Sequence, residues 1–383
     1  MNPNDCGIPR LRLAYEELVL EVRARPDHLA WLAEFLLPHF TESEGEPGWA
    51  IELQEDEDAY AAALRCGAGD GSTIDCFALD SAVVRLPRWH DAGRATAVFD
   101  RDYRCFYTVL PQRRQVRIVT VADNASIRTP LMRVVRELAM NHCHSRGGLF
   151  LHASAVAVGE RGLVVTGRKA AGKTTLLMYL LGAAQAEYLA NDRVLVSLAA
   201  AEVACRGLPS VVTIRPRTLE LFPEIAGRLA GSGFRQQRTI AEAEREQLPP
   251  QPWSDGRYGL TPAQLCALVE AQPAKAAQLR AVVFPAVTER PGGVALRRLE
   301  REEAAARLVP SLLGAGSWKK TSDLFGEPSL NAGGDQGRSA EQRLIAMCRE
   351  LARRVACFEC QLGLQAYDND RGRQALLALV RER

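Results

Sequence analysis

Apolar and polar residues alternate with a period of two over residues 11–22, 49–53, 82–86, 97–99 and 117–121, the spacing of half-buried strands. Residues 28–40 instead carry the 3.6-residue spacing of an amphipathic helix. These segments predict a small α+β domain over residues 1–125, interrupted by turn-rich breaks at 41–47 (TESEGEP) and 67–72 (GAGDGS). No chemical motif falls within it. From Thr129-Pro130 the pattern changes to a helix ending near His144, with Leu131, Val134, Val135 and Leu138 on one face and Gly147-Gly148 as its stop.

Residues 149–158 then read as a strand, Gly159-Glu160-Arg161-Gly162 as a tight turn, and 163–166 as a second strand whose continuous apolar character suits burial inside a sheet. A glycine-rich loop follows, then a helix over 174–181, and strands over 187–190 and 194–198 that bracket Asn191-Asp192. Further strands are expected at 211–214, 281–284 and 355–361, and helices at 262–271, 302–313 and 340–354. The polar segment 235–256, with Pro249-Pro250 and Pro252, reads as a long exposed loop, and 318–339 as a second. Residues 126–383 are thus expected to form one α/β domain, so that the chain is α+β overall.

Composition narrows the class. At roughly 150 residues per domain, a chain of 383 residues holds two to three domains. Lys and Arg number 48 against 46 Asp and Glu, and 47% of residues are hydrophobic, which excludes a disordered or collagen-like chain and argues against a nucleic-acid partner. No apolar run approaches the roughly 18 residues of a membrane span, and the opening MNPNDCGIPR has no apolar signal segment, so a cytoplasmic protein without membrane contact is expected. The ten cysteines are read as reduced thiols. Cys357 and Cys360 form a CxxC without the second ligand pair that a tetrahedral zinc site requires, and are expected as buried thiols of a strand. His142 and His144 are expected at surface or helix-cap positions.

Chemistry concentrates in one loop. Gly167-Arg168-Lys169-Ala170-Ala171-Gly172-Lys173-Thr174 fits G-x-x-x-x-G-K-[ST] and has an expected strand before it and a helix after it. Successive backbone N–H groups and the positive end of the following helix make such a loop an anion cradle. Gly167 and Gly172 permit backbone angles and a close approach that a side chain would block. Lys173 supplies a cation for the β- and γ-phosphates, and Thr174 a hydroxyl for Mg²⁺, so residues 167–175, with Thr175 at the end, are the expected ATP site. Asp192, at a strand end after the helix, is the carboxylate within reach of the phosphates.

Three segments resemble the HPr kinase/phosphorylase-like family, which is related in fold to the ATP-dependent phosphoenolpyruvate carboxykinases: Leu151-His152-Ala153-Ser154-Ala155-Val156, the loop GRKAAGKTT, and Leu189-Ala190-Asn191-Asp192-Arg193-Val194. The resemblance is specific over residues 133–198 and does not reach the N-terminal part. It implies a P-loop kinase core in which Asp192 accepts the proton of the attacking hydroxyl, Thr174 and Asp192 hold Mg²⁺, and His152 lies beside the reacting centre. It further implies a homo-oligomer, the hexamer of HPr kinases. One departure is informative: Asn191 stands where the family has a first aspartate, so an oxygen ligand is kept and a charge is lost. The acidic residue expected some 25 positions further on is also missing, Glu220 being only a displaced counterpart, while Arg215 and Arg217 bring cations. These changes point away from HPr as substrate and favour forward transfer over phosphorolysis.

The expectation is an ATP- and Mg²⁺-dependent kinase of a hydroxyl group, serine of a peptide or protein first. The competing readings are a nucleotide-gated sensor or scaffold with little turnover, and a kinase of a small hydroxylated metabolite. Acceptor recognition would fall to the mixed aromatic and basic segments 234–238, 253–258 and 318–320.

Overall fold

A computed structural model of the chain describes residues 8–66, 72–79, 82–91, 95–234, 256–288, 291–313, 334–363, 365–367 and 370–381. The chain forms two compact units that divide between Ser145 and Arg146. Among the described residues no helix is long and apolar enough to cross a membrane.

The first unit is built on a nine-stranded sheet of β1 (Arg10–Tyr15), β2 (Leu18–Arg23), β3 (Thr41–Glu42), β4 (Trp49–Glu55), β5 (Ser72–Leu79), β6 (Ala82–Asp91), β7 (Ala95–Asp100), β8 (Cys105–Leu110) and β9 (Gln115–Thr120), in the order β3-β1-β2-β4-β9-β8-β7-β6-β5. All neighbours run antiparallel except β2 with β4 and β4 with β9. Among the described residues three helices complete it: α1 (Pro26–Leu36), α2 (Glu57–Cys66) and α3 (Arg128–Ser145). The stretch expected as one alternating segment over 11–22 is a hairpin, because Glu16, in the left-handed region (φ 52°), turns the chain between β1 and β2. The expected break at 41–47 contributes the two residues of β3. The expected boundary at residue 125 falls just ahead of α3, which packs on α1, β2 and β4 and so belongs with the first unit. Burial continues to the end of this helix: His144 lies in its interior face and is not at the surface, while His142 is half-buried.

The second unit carries a second nine-stranded sheet. Its strands are β10 (Leu149–Leu151), β11 (Ala153–Val158), β12 (Arg161–Thr166), β13 (Glu187–Ala190), β14 (Val194–Ser197) and β15 (Ala204–Gly207), with β18 (Ala276–Val287), β19 (Val294–Arg298) and β20 (Ala356–Leu362). A separate pair is made by β16 (Val212–Ile214) and β17 (Tyr258–Leu260). The main path runs β10-β14-β15-β18-β12-β11-β13, and β20 joins β18 and β19. Thus β12, continuously apolar as expected for an inner strand, lies between β11 and a parallel β18. The helices are α4 (Lys173–Leu181), α5 (Pro216–Leu219), α6 (Pro223–Gly231), α7 (Pro262–Val269), α8 (Arg301–Leu308), α9 (Gly334–Arg354) and α10 (Asp370–Arg381). α4 and α10 pack together over β12, and their Leu176, Leu177, Leu180, Leu376, Leu377 and Val380 share one core with Val165, Val283 and Cys360.

Several expectations are revised. The strand expected over 149–158 is broken at His152: β10 pairs with β14, whereas β11 pairs with β12 and β13. Hydrophobic periodicity is blind to such a break, because both halves are buried although their partners differ. The second expected loop, 318–339, overlaps α9, which already begins at Gly334. Residues 314–333 and 235–255 lie outside the described residues, and with them most of the three proposed recognition segments. Within those segments Phe234 and Tyr258 pack against the core. Cys357 and Cys360 are buried and stand three residues apart on β20, hence on opposite faces of the sheet, and burial pushes both thiols up to about 12.

Candidate functional site

The glycine-rich loop leaves the end of β12 and enters α4, and its backbone is bent where the sequence supplies glycine. Gly167 has φ 146° and Gly172 φ 96°, conformations that L side chains rarely adopt. A Cβ on Gly172 would also stand 2.8 Å from Cγ2 of Val287, at the end of β18. Ala170 takes the left-handed region as well (φ 66°), and the Ala171 N–H donates to the Arg168 carbonyl at 3.2 Å, closing a tight turn. Gly172 is the N-cap of α4 and brings no side-chain acceptor, so the first-turn N–H groups of the helix are not capped by a side chain from that position. Arg168, Lys169 and Ala170 are exposed, and Gly167, Ala171, Gly172, Lys173, Thr174 and Thr175 are half-buried.

Lys173 folds back on the loop, its Nζ donating to the carbonyls of Gly167 at 3.0 Å and Arg168 at 3.1 Å. Burial pushes its ammonium below the ordinary lysine range, and the negative charge of Asp192 opposes that shift. The lysine and the carboxylate therefore feel each other's field. This juxtaposition comes from the sheet: β13 pairs with β11, the partner of β12, so the turn that follows β13 returns to the mouth of the loop.

That turn holds Asn191 and Asp192. Asn191 is buried, and its Oδ1 accepts from Ser154 Oγ at 3.2 Å and from Thr174 Oγ1 at 3.4 Å. The loop threonine therefore meets the asparagine. Asp192 has φ 79°, a strained setting for a residue with a Cβ, and its carbonyl accepts the Ala153 N–H at 3.3 Å. One carboxylate oxygen, Oδ1, lies 3.5 Å from His152 Nε2, and the other, Oδ2, accepts from Arg193 Nη1 at 3.0 Å.

His152 occupies the break between β10 and β11. Its N–H donates to the Ser311 carbonyl at 2.7 Å, and its own carbonyl accepts from Thr166 Oγ1 at 3.1 Å. Because the residue is released from strand pairing, its side chain is partly open to solvent next to Asp192. The residues singled out from the sequence thus converge: the loop, Lys173, Thr174, His152 and Asp192 meet at the ends of β12 and β13. Thr218 is an addition, since its hydroxyl meets that of Thr175 at 3.1 Å and brings the start of α5 to the loop. Forty-three residues separate the pair, and no sequence signal links them. Arg215, Arg217 and Glu220 around it are exposed. Ser154, Arg193 and Ser210 were equally beyond the motif match, although Ser154 and Arg193 stand inside the quoted segments.

Chemically, the arrangement offers a cationic, amide-lined loop mouth facing one carboxylate and one imidazole. Thr174 and Asn191 supply neutral hard oxygens suited to a cation that arrives with phosphate. Among the described residues no group of three or more His, Cys, Asp or Glu could hold a metal by itself. No protein-family model matches the chain, and no curated protein shows significant similarity to it.

Proposed function

We propose that the second unit is an HPr-kinase-like phosphotransferase, which binds ATP on the 167–175 loop and transfers its γ-phosphoryl group to a hydroxyl, that of serine in a peptide or protein first. The observation that carries the reading is that the turn holding Asp192 is brought to the glycine-rich loop, where Thr174 Oγ1 donates to the neighbouring Asn191 Oδ1 at 3.4 Å and Asp192 Oδ1 lies 3.5 Å from His152 Nε2, since a carboxylate beside such a loop can take the proton of an entering hydroxyl. In the proposed step the acceptor oxygen bonds to the γ-phosphorus and the bond to the β,γ-bridging oxygen breaks. ADP leaves, and the hydroxyl proton passes to the Asp192 carboxylate. His152 orients the carboxylate and the acceptor, and Lys173 exchanges its two loop carbonyls for phosphate oxygens.

The oxygens of Thr174 and Asn191 fit Mg²⁺, which would neutralise the charge developing on the phosphates. The neutral amide of Asn191 lowers the negative charge around that ion relative to a pair of aspartates. A metal-holding role for Asp192 gains less support, because its two carboxylate oxygens already face His152 and Arg193.

Incubating the full-length chain with [γ-³²P]ATP and Mg²⁺, alone and with fractionated peptides and metabolites, tests the reading. Label on a seryl hydroxyl supports it. Tight ATP binding with no labelled acceptor in any fraction would replace it by the nucleotide-gated sensor.

A further inference from the structure

Neighbouring residues in an extended chain point to opposite sides, so the side chains of Asp192 and Arg193 would not ordinarily meet. Here they do, because the left-handed backbone at Asp192 (φ 79°) rotates its carboxylate onto the guanidinium of the next residue. The guanidinium is itself held. Arg193 Nη1 reaches Ser210 Oγ at 3.4 Å as well as Asp192 Oδ2 at 3.0 Å, and Ser210 is buried. The main chain is tied to the same place, since the Leu208 N–H donates to the Arg193 carbonyl at 3.1 Å and Val194 pairs with Gly207 at the start of β14. The Arg193 side chain is 14% exposed where that of Asp192 is 37% exposed, so the arginine approaches its neighbour from inside the protein.

We infer that Arg193, backed by Ser210, is a positioning residue that anchors Asp192 Oδ2 and leaves Oδ1, the oxygen facing His152, as the one that serves the acceptor hydroxyl. The inference rests on the kinase reading and adds to it a division of labour between the two carboxylate oxygens. The planar guanidinium suits this role better than an ammonium, because the two N–H groups of Nη1 keep fixed directions, one toward Asp192 and one toward Ser210. It also explains how a non-glycine residue is held at positive φ, since a charge-assisted hydrogen bond offsets the backbone strain.

A double-mutant cycle on the full-length protein tests it, with water taking the place of the acceptor hydroxyl, single-turnover release of labelled inorganic phosphate from [γ-³²P]ATP·Mg²⁺ as the rate and calorimetric ATP titration as the control. Arg193→Ala is expected to slow release by about 10²-fold, the cost of a misplaced catalytic group, at unchanged ATP affinity. In the Asp192→Asn background the same change should cost little more, because the arginine acts through the aspartate. Millimolar guanidinium should restore part of the rate to Arg193→Ala and none to Asp192→Asn. Additive losses with weakened ATP binding would make Arg193 a phosphate contact and overturn the inference, as would a parental rate in Arg193→Ala when Asp192→Asn is impaired. A parental rate in Asp192→Asn would instead remove the kinase reading and the inference with it. Should Arg193→Ala not fold, Arg193→Lys, which keeps the charge and loses the fork, carries the same cycle.

Discussion

Each unit has a histidine facing a carboxylate, and the two settings are opposite. In the first unit His28, near the start of α1, places Nε2 3.2 Å from Glu55 Oε2 at the end of β4, and both side chains are buried. Its Nδ1 accepts from Arg128 Nε at 3.4 Å at the start of α3, while Arg25 reaches Glu55 at 3.1 Å and Asp27 pairs with both Arg25 and Arg128. Every polar direction of that ring is taken by a structural partner, and the cluster bolts two helices to a strand. In the second unit His152 and Asp192 stand 3.5 Å apart with 30% and 37% of their side chains exposed, on a broken strand and a left-handed turn, facing the lysine of a glycine-rich loop. A histidine–carboxylate contact is thus no sign of chemistry by itself. What separates the two is an open side, a strained backbone and a half-buried lysine in the adjoining loop, features that cost stability and that the His28 cluster lacks.

The comparison predicts that damage in the second unit costs activity, and damage to the His28 cluster costs stability. The largest effect should follow Gly172→Val, which forces a side chain into φ 96° and against Val287, and Lys173→Ala, which removes the loop cation. Both should lose ATP-dependent transfer altogether, Lys173→Ala while melting near the parent and Gly172→Val with some added loss of stability from the strain, and calorimetric ATP binding equal to the parent's would break the assignment of the loop. Next comes Asp192→Asn, with transfer down by about 10²-fold or more, ATP affinity unchanged, and a smaller loss for His152→Ala. If these variants lost stability in proportion to rate, His152 and Asp192 would be a second structural cluster and the contrast would vanish.

Smaller still, and of the other kind, His28→Ala should lower the unfolding free energy by about 1–3 kcal/mol, the cost of leaving buried partners unsatisfied. Denaturant titration checks this, and ATP binding should not move. The smallest effect is a pH dependence. Burial holds His28 below the ordinary histidine range against the opposing charges of Glu55 and Asp27, and Arg128 acts in the same direction as burial. The unfolded chain then binds the extra proton more readily, so this contribution to stability is present above the unfolded pKa of about 6.5 and is lost as pH falls from there through the lower folded pKa. His28→Gln should flatten that limb of the stability profile; an unaltered limb would assign it to other groups.

Much of the site was legible because its parts are local. The apolar run into β12, the glycines of the loop and the helix behind it declare themselves through short-range backbone chemistry, as do the two strands around Asn191-Asp192. The same local signals located α1, α3, β13 and β20 to within a few residues. They missed α2, whose apolar stripe is short and built mostly of small residues, Ala59 and Ala63 beside the Tyr60 that packs with Phe106 and Val119. They also joined β10 to β11, because burial looks alike on either side of His152.

Sequence alone determined that a glycine-rich loop follows a buried strand and that a carboxylate follows the next helix and strand, since turn angles and strand burial depend mainly on residues close by. Only the tertiary structure decided what that carboxylate faces. The pairing of β11 with both β12 and β13, the hold of the Ser311 carbonyl on the break at His152, the meeting of Thr174 with Asn191 and of Thr175 with Thr218, and the left-handed turn that swings Asp192 onto Arg193 all depend on contacts closed by the sheet. Most of these join residues far apart in the chain, and even the adjacent pair meets only because distant strands hold the turn. No short window of sequence carries the free energy that selects them.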